Sequence, residues 1–215
     1  MDGEWRTIID PYETGYYDYR YQPSKDGYFK NAKLKDLSDR VEYDFDRSPT
    51  LQVPGDWNSQ RESLRFYEGT IWYKISFDLE PRGDARLFLY FGAANYKTHV
   101  FLNGELVGEH EGGFTPFNFE VTDRVLAKDN VRVVKVDNKR LRDGVPTLQT
   151  DWWNYGGLSG LGTRFQKLPW RQCAEVVGNS RGVVHQHDGA QWLSAVERSP
   201  SGIVDAAAIP TAVES

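Results

Sequence analysis

Cysteine is all but missing from this chain, with one residue, Cys173, in 215. A lone thiol closes no internal disulfide and gives no firm sign of redox compartment. It has no recognisable partner pattern either, which argues against a catalytic thiol. Long apolar runs are also missing, and the mean hydropathy of −0.63 excludes a membrane-spanning helix. The opening MDGEWRTIID lacks a basic stretch followed by an apolar one, so no signal peptide is expected, and localisation stays open. There is no basic run. A net charge of −5 with mixed signs argues against a nucleic-acid or anionic-membrane surface. The glycine-rich GLSGLG lacks the lysine and the strand–helix context of a phosphate loop, and its Ser159 is not in a nucleophile elbow. His185 and His187 stand two apart beside Asp188, but a metal site needs three or four convergent ligands and none other is near. No metal or cofactor is expected.

Aromatic residues, by contrast, are abundant, at 14% with 7 Trp, 12 Tyr and 11 Phe. They are ample for one core and hint at a surface that stacks on something flat. They are also unevenly spread. Every Tyr lies at or before Tyr155, and Lys167 is the only Lys beyond that point. Residues 161–215 hold five basic and five acidic residues, so residues 1–160 carry the whole net charge. The composition therefore predicts one domain over 1–160 and a tail of different character over 161–215.

Within the first part, hydrophobic alternation is the main signal. The Tyr-rich PYETGYYDYRYQPSKDGYF reads as a long loop after a short strand near Trp5–Ile9, and KLKDLSDRVEYDF as a helical turn leading into strand-like residues. IWYKISFDL puts Ile71, Tyr73, Ile75, Phe77 and Leu79 on one face of a strand and Trp72, Lys74, Ser76 and Asp78 on the other. ARLFLYFG is apolar on both faces, as a central strand would be. KTHVFLNGELVGEH reads as a hairpin turning at Asn103-Gly104, because this pair tolerates the positive φ angles of a type I′ turn. TPFNFEVT puts Phe117, Phe119 and Val121 together, and VRVVKVDN is a further buried strand. No long amphipathic helix precedes Gly160. Six or seven short strands with turn chemistry between them predict an all-β fold, an antiparallel jelly-roll β-sandwich.

The stretch TDWWNYGGLSG (150–160) offers the chemistry of a carbohydrate contact. Asp151 accepts hydrogen bonds from hydroxyls, and the ring of Trp152 packs on the apolar side of a sugar. Asn154 both donates and accepts, Tyr155 adds a further ring, and two glycines permit a sharp backbone path. The competing reading makes both Trp core plugs and Asp151 a turn cap. Glu109 and Glu111, i and i+2 on a strand, sit roughly 6–7 Å apart, within the range of glycosidase carboxylates. Neighbours on one strand would nevertheless flank a bond poorly, so no catalytic residue is assigned.

The blocks YEGTIWYKISFDL, YFGAANYKTHVFLNGELVGEHEGGFTPFNFEVTD and TDWWNYGGL, in this order and spacing, resemble the N-terminal sugar-binding domain of glycoside hydrolase family 2. The resemblance runs from about Gly3 to about Leu158 and points to the β-galactosidase and β-glucuronidase branches. It implies a galactose-binding-domain-like jelly roll. It also implies a parent retaining exo-β-glycosidase whose two catalytic Glu sit on a later (β/α)₈ barrel, behind an immunoglobulin-like domain. Asp151 would hydrogen-bond a sugar hydroxyl, a role to which some members add an alkali metal. Asn154 and Tyr155 would shape the loop, and Trp152 and Trp153 occupy positions where the family uses bulky residues.

After NYGGL the sequence departs from the family. SGLGTRFQKLPWRQCAEVVGNSRG lacks clear alternation, and Pro169 interrupts its one strand-like run. The expectation is that residues past about Gly160 come from a shifted frame or a truncated or misannotated gene, the rival being a divergent appendage. The later domains are not found in the chain, so it is expected to be inactive alone. Without a closing strand the sheet edge would stay open and stability marginal, unless GTRFQKL takes that place. Three functions compete: the sugar-binding part of a glycosidase, a stand-alone carbohydrate-binding module, or a non-functional product.

Overall fold

The computed structural model describes residues 2–23, 43–79, 85–159 and 163–169. Cys173, His185, His187 and most of KLKDLSDRVEYDF lie outside the described residues, as does the tail from 170 on. Met1–Leu168 form one compact unit.

Nearly all regular structure is antiparallel strand. One six-stranded sheet runs in the order β2 (Thr50–Val53), β1 (Gly3–Asp10), β4 (Thr70–Phe77), β9 (Asn130–Asp137), β6 (Lys97–Leu102), β7 (Glu105–Glu111). A three-stranded sheet runs β11 (Thr163–Pro169), β5 (Ala85–Phe91), β8 (Phe117–Glu120), and a two-residue pair joins β3 (Gly55–Asp56) to β10 (Gly157–Leu158). The only helical pieces among the described residues are one turn, α1 (Trp57–Gln60), and a 3-10 turn at Glu62–Leu64. Asp56 caps α1, its carboxylate accepting from Ser59 N at 2.7 Å.

The alternation read along β4 holds. Ile71 and Tyr73, with Ile75, Phe77 and Leu79 at its margin, join one core with Trp5, Val100, Val134, Leu87, Leu89, Phe91 and Phe117. This core fills the space between the two large sheets. The hairpin also forms as read: Leu102 pairs with Glu105, and the turn residues Asn103 and Gly104 have φ of 53° and 90°. One charge sits in the core. Arg132 is fully buried, its guanidinium 4.3 Å from the Trp5 ring centroid and 5.7 Å from that of Phe91. Burial pushes its pKa down to about 9, with Asp2 acting in the opposite sense.

The second face of the large sheet is covered as well. Ile8, Trp72, Phe101 and Val133 pack under Tyr16 and Phe45, which belong to the connection between β1 and β2. The Tyr-rich segment is thus a loop, as expected, but it works as a third layer. Buried Asp10 pins it, accepting from Thr14 N, Gly15 N and Trp72 Nε1, each at 3.0 Å. Glu13 pins it further, meeting the buried Lys135 at 2.6 Å and Lys139 at 3.1 Å. Burial alone would raise the Glu13 pKa, but the two ammonium groups override it and hold it below the usual value.

Of the two alternatives read after Gly160, the strand forms: β11, which spans most of GTRFQKL, lies beside β5 and leaves that strand flanked on both sides. Pro169 is its last residue, at the end of an edge strand, where proline is tolerated.

Two outcomes follow for stability. Asp10→Ala leaves three buried or half-buried donors without their acceptor and is expected to cost about 3 kcal/mol in guanidinium denaturation; a loss below about 1 kcal/mol would show that Asp10 does not hold the layer. The pH dependence centres on His99, which packs at a tilt against Tyr16 with ring centroids 4.8 Å apart. Burial, reinforced by Lys135 and Lys97 and opposed by Glu13, lowers its pKa to about 4. The unfolded chain takes up that proton near the ordinary histidine value and the folded chain only near 4. Stability is then full above about pH 6.5 and falls on the way to 4, by on the order of 3 kcal/mol. Denaturation midpoints at pH 7.5 and 4.5 should differ accordingly, and His99→Gln should shrink the difference.

Candidate functional site

The segment from Thr150 to Gly157 belongs to the connection after β9 and ends in β10, which pairs with β3. Its conformation is imposed by buried amides. Asn154 Oδ1 accepts from Asn95 Nδ2 at 3.0 Å, and Asn154 Nδ2 donates to the carbonyl of Asn138. Asn138 returns the bond, its Nδ2 reaching the Asn154 carbonyl at 3.0 Å while its Oδ1 accepts from Gly69 N at 2.8 Å. Asn95 Nδ2 also donates to the Tyr155 carbonyl. All three asparagines are buried. An amide carries both donor and acceptor, so such a set links buried backbone and side chains without burying charge, although Asn95 Oδ1 itself accepts no bond.

The glycines complete the return. Gly156 N donates to Asn58 Oδ1 at 2.9 Å, and Trp57 N donates to the Gly156 carbonyl at 2.9 Å. A Cβ on Gly156 would lie 2.0 Å from the Trp57 ring, so no other residue fits. Gly157 has φ of 135°, a conformation side chains rarely adopt, and there β10 pairs with β3.

Arg140 clamps the other end of the loop. Its Nη1 donates to the carbonyl and hydroxyl of Thr150 at 2.8 and 2.9 Å, its Nη2 to the Trp152 carbonyl at 3.3 Å, and its Nε to Glu68 at 2.9 Å. These carbonyls flank Asp151. The carboxylate of Asp151 therefore stands exposed on a backbone fixed on both sides.

The rings are not core plugs. Trp152 is 62% exposed, Trp153 43% and Tyr155 52%, against none for Trp5 or Trp57. Trp153 neighbours Phe66 and Tyr155, at centroid distances of 5.3 and 6.1 Å. Two open clefts flank it. One, of about 200 Å³, has Asp151, Trp152, Arg140 and Glu68 in its wall; the other, of about 320 Å³, has Arg61, Glu62 and Tyr155. Arg65 and Trp153 border both.

Of the residues singled out from sequence, Asp151, Trp152 and Tyr155 thus reach solvent at one cleft edge or the other. Asn154 borders the smaller cleft but is buried, with both ends of its amide spent inside the protein. Sequence reasoning passed over Arg65, Phe66, Glu68 and Arg140, which sit in unremarkable polar contexts. Only the fold brings them beside residue 151. Glu109 and Glu111 lie on the edge strand β7 and face separate partners, the imidazole of His99 at 3.5 Å and the ammonium of Lys97 at 3.3 Å. No cluster of three or more metal-ligating side chains occurs among the described residues.

Known proteins match the chain and its fold. A family model described as "Glycosyl hydrolases family 2, sugar binding domain" matches residues 1–161. A β-galactosidase of Thermoanaerobacter pseudethanolicus is 29% identical over 136 residues, 58% of this chain and 18% of that protein. Among solved structures, a β-glucuronidase of an uncultured Clostridium species superimposes with a TM-score of 0.55 at 27% identity, covering 74% of this chain and 26% of that one. A Bifidobacterium dentium β-glucuronidase, solved in complex with coumarin-3-O-glucuronide, gives a TM-score of 0.51 at 30% identity, covering 68% and 21%. The chain thus spans about a quarter or less of the length of these relatives. With the model matching about three quarters of it, the chain belongs to glycosyl hydrolase family 2, as the sugar-binding domain of β-glucuronidase- and β-galactosidase-like enzymes.

Proposed function

We propose that this domain supplies one wall of the active site of a retaining exo-β-glycosidase, with a β-glucuronide or β-galactoside as substrate. The observation that carries the reading is the exposed Asp151 carboxylate, held by Arg140 and the asparagine set at the mouth of a cleft with a ring of Trp152 beside it. In this reading Asp151 accepts a hydrogen bond from a hydroxyl of the sugar, and Trp152 covers an apolar face of the ring. The two Glu of the reaction come from a barrel domain outside residues 1–161. One protonates the leaving oxygen while the other attacks the anomeric carbon, and water then releases the glycosyl-enzyme. The domain contributes to that sequence by fixing the sugar, since a hydroxyl contact that tightens in the transition state lowers the barrier.

The geometry favours this over a stand-alone binding module. One carboxylate and one or two rings supply roughly 2–4 kcal/mol, which is millimolar affinity or weaker. A loop so open gains its strength only when a second wall closes over the sugar.

The test is a chimera in which residues 1–161 replace the matching domain of a β-glucuronidase relative, assayed on aryl β-glucuronide and aryl β-galactoside. Hydrolysis of one of the two is expected. Asp151→Ala should reduce kcat/KM by roughly 30- to 100-fold, the value of one hydrogen bond to a charged group, with the thermal melt unchanged. Activity indifferent to Asp151→Ala would remove the proposed role.

A further inference from the structure

The larger cleft, on the side of Trp153 away from Asp151, has a chemistry of its own. We propose that it is a second saccharide subsite selective for an acidic sugar, with the sugar carboxylate on Arg65 and Arg61 and the ring against Trp153.

Three observations support this. The first is charge. The chain is acidic overall, at −5, yet this cleft sets two guanidinium groups against the single carboxylate of Glu62. That carboxylate does little to neutralise them. It meets Arg65 at 3.8 Å with its own side chain 90% exposed, an arrangement that solvent screens. Arg61 spends one N–H on the Thr50 carbonyl at 2.9 Å, and a guanidinium carries five. A planar carboxylate matches that donor geometry, whereas a neutral sugar presents nothing of equal strength.

The second is the ring. Trp153 has the tilted rings of Phe66 and Tyr155 as neighbours, at centroid distances of 5.3 and 6.1 Å, yet remains 43% exposed. Its indole is held in place without being covered, as a stacking platform must be.

The third is a shared anchor. Asn58 is buried, and its Nδ2 donates to the carbonyls of Leu64, Arg65 and Tyr67 at 2.9, 3.3 and 3.1 Å. Its Oδ1 accepts from Gly156 N at 2.9 Å. The turn bearing the arginines and the loop bearing the rings are therefore tied to one side chain. Their separation is set before any ligand arrives, which lowers the ordering cost of binding. A volume of about 320 Å³ lies at the small end of the range for ligand sites.

The site makes no use of Asp151, so it stands or falls apart from the proposal above. The test uses the full chain, ¹⁵N-labelled, titrated with methyl β-D-glucuronide and separately with methyl β-D-galactoside. The Trp153 indole resonance, assigned through Trp153→Phe, is the reporter. The expected result is a shift of that resonance with the glucuronide at millimolar concentration, at least fivefold weaker with the galactoside, and weakening as salt is raised. Arg65→Gln, an exposed position whose melt should not change, should abolish the preference for the acid. Asp151→Asn should leave it intact. Equal response to the two sugars, no response of Trp153, or a preference that survives Arg65→Gln would overturn the proposal. A preference lost with Asp151→Asn would assign the acid to the neighbouring cleft and overturn it as well.

Discussion

Everything proposed for this domain depends on three buried asparagines, Asn95, Asn138 and Asn154. They come from two connections, Asn95 from that between β5 and β6 and Asn138 and Asn154 from the two ends of that between β9 and β10, and their amides join these connections into one object. Remove them and Asp151 sits on a long surface segment with many conformations. With them it occupies one place. Amides suit the task better than ions would. A buried ion pair must recover a desolvation cost of several kcal/mol per ion, whereas amides can both donate and accept and leave no net charge at the site. The exposed loop is therefore rigid because of groups that never touch solvent.

The same economy of roles recurs on the covered face of the large sheet. There the chain does bury ions, Lys135 against Glu13, and the difference lies in what surrounds them. Lys135 also lies 5.2 Å from the Tyr16 ring and 5.8 Å from that of Tyr17, so its charge meets ring faces as well as a carboxylate. This arrangement fixes the segment after β1 over Trp72 and Phe101 and turns a tyrosine-rich loop into a layer.

Much of the sandwich was legible because strand alternation is local. Ile71, Tyr73 and Ile75 declare a buried face within a few residues, and Asn103-Gly104 declares its turn in two. The third layer was not legible, because nothing in GYYDYRY says that its rings will cover a sheet rather than fill a gap. Asp10 shows the difficulty plainly. It is one acidic residue at a strand end, and its value comes from Trp72, 62 positions away. The strand Thr163–Pro169 was legible only as an alternative, because Pro169 reads as an interruption of GTRFQKLP, and the sheet order shows that it ends an edge strand.

At the candidate site the split is the same. Asp151 and the two tryptophans were visible as residue types suited to sugars, and the loop glycines as permission for a sharp path. The partners were invisible. Arg140 reaches Thr150 and Trp152 across a span of ten and twelve residues, and Asn58 reaches Gly156 across 98. The aromatic residues could not be sorted from sequence into core and surface either, since Trp57 and Trp153 have equally apolar side chains. What sorts them is Gly156. Without a side chain it lets the backbone lie directly on the Trp57 ring, which seals that indole inside. The turn that follows from this close approach leaves the preceding Trp153 and Tyr155 facing outward. One small residue thus divides the aromatic content into what stabilises the fold and what remains to meet a ligand.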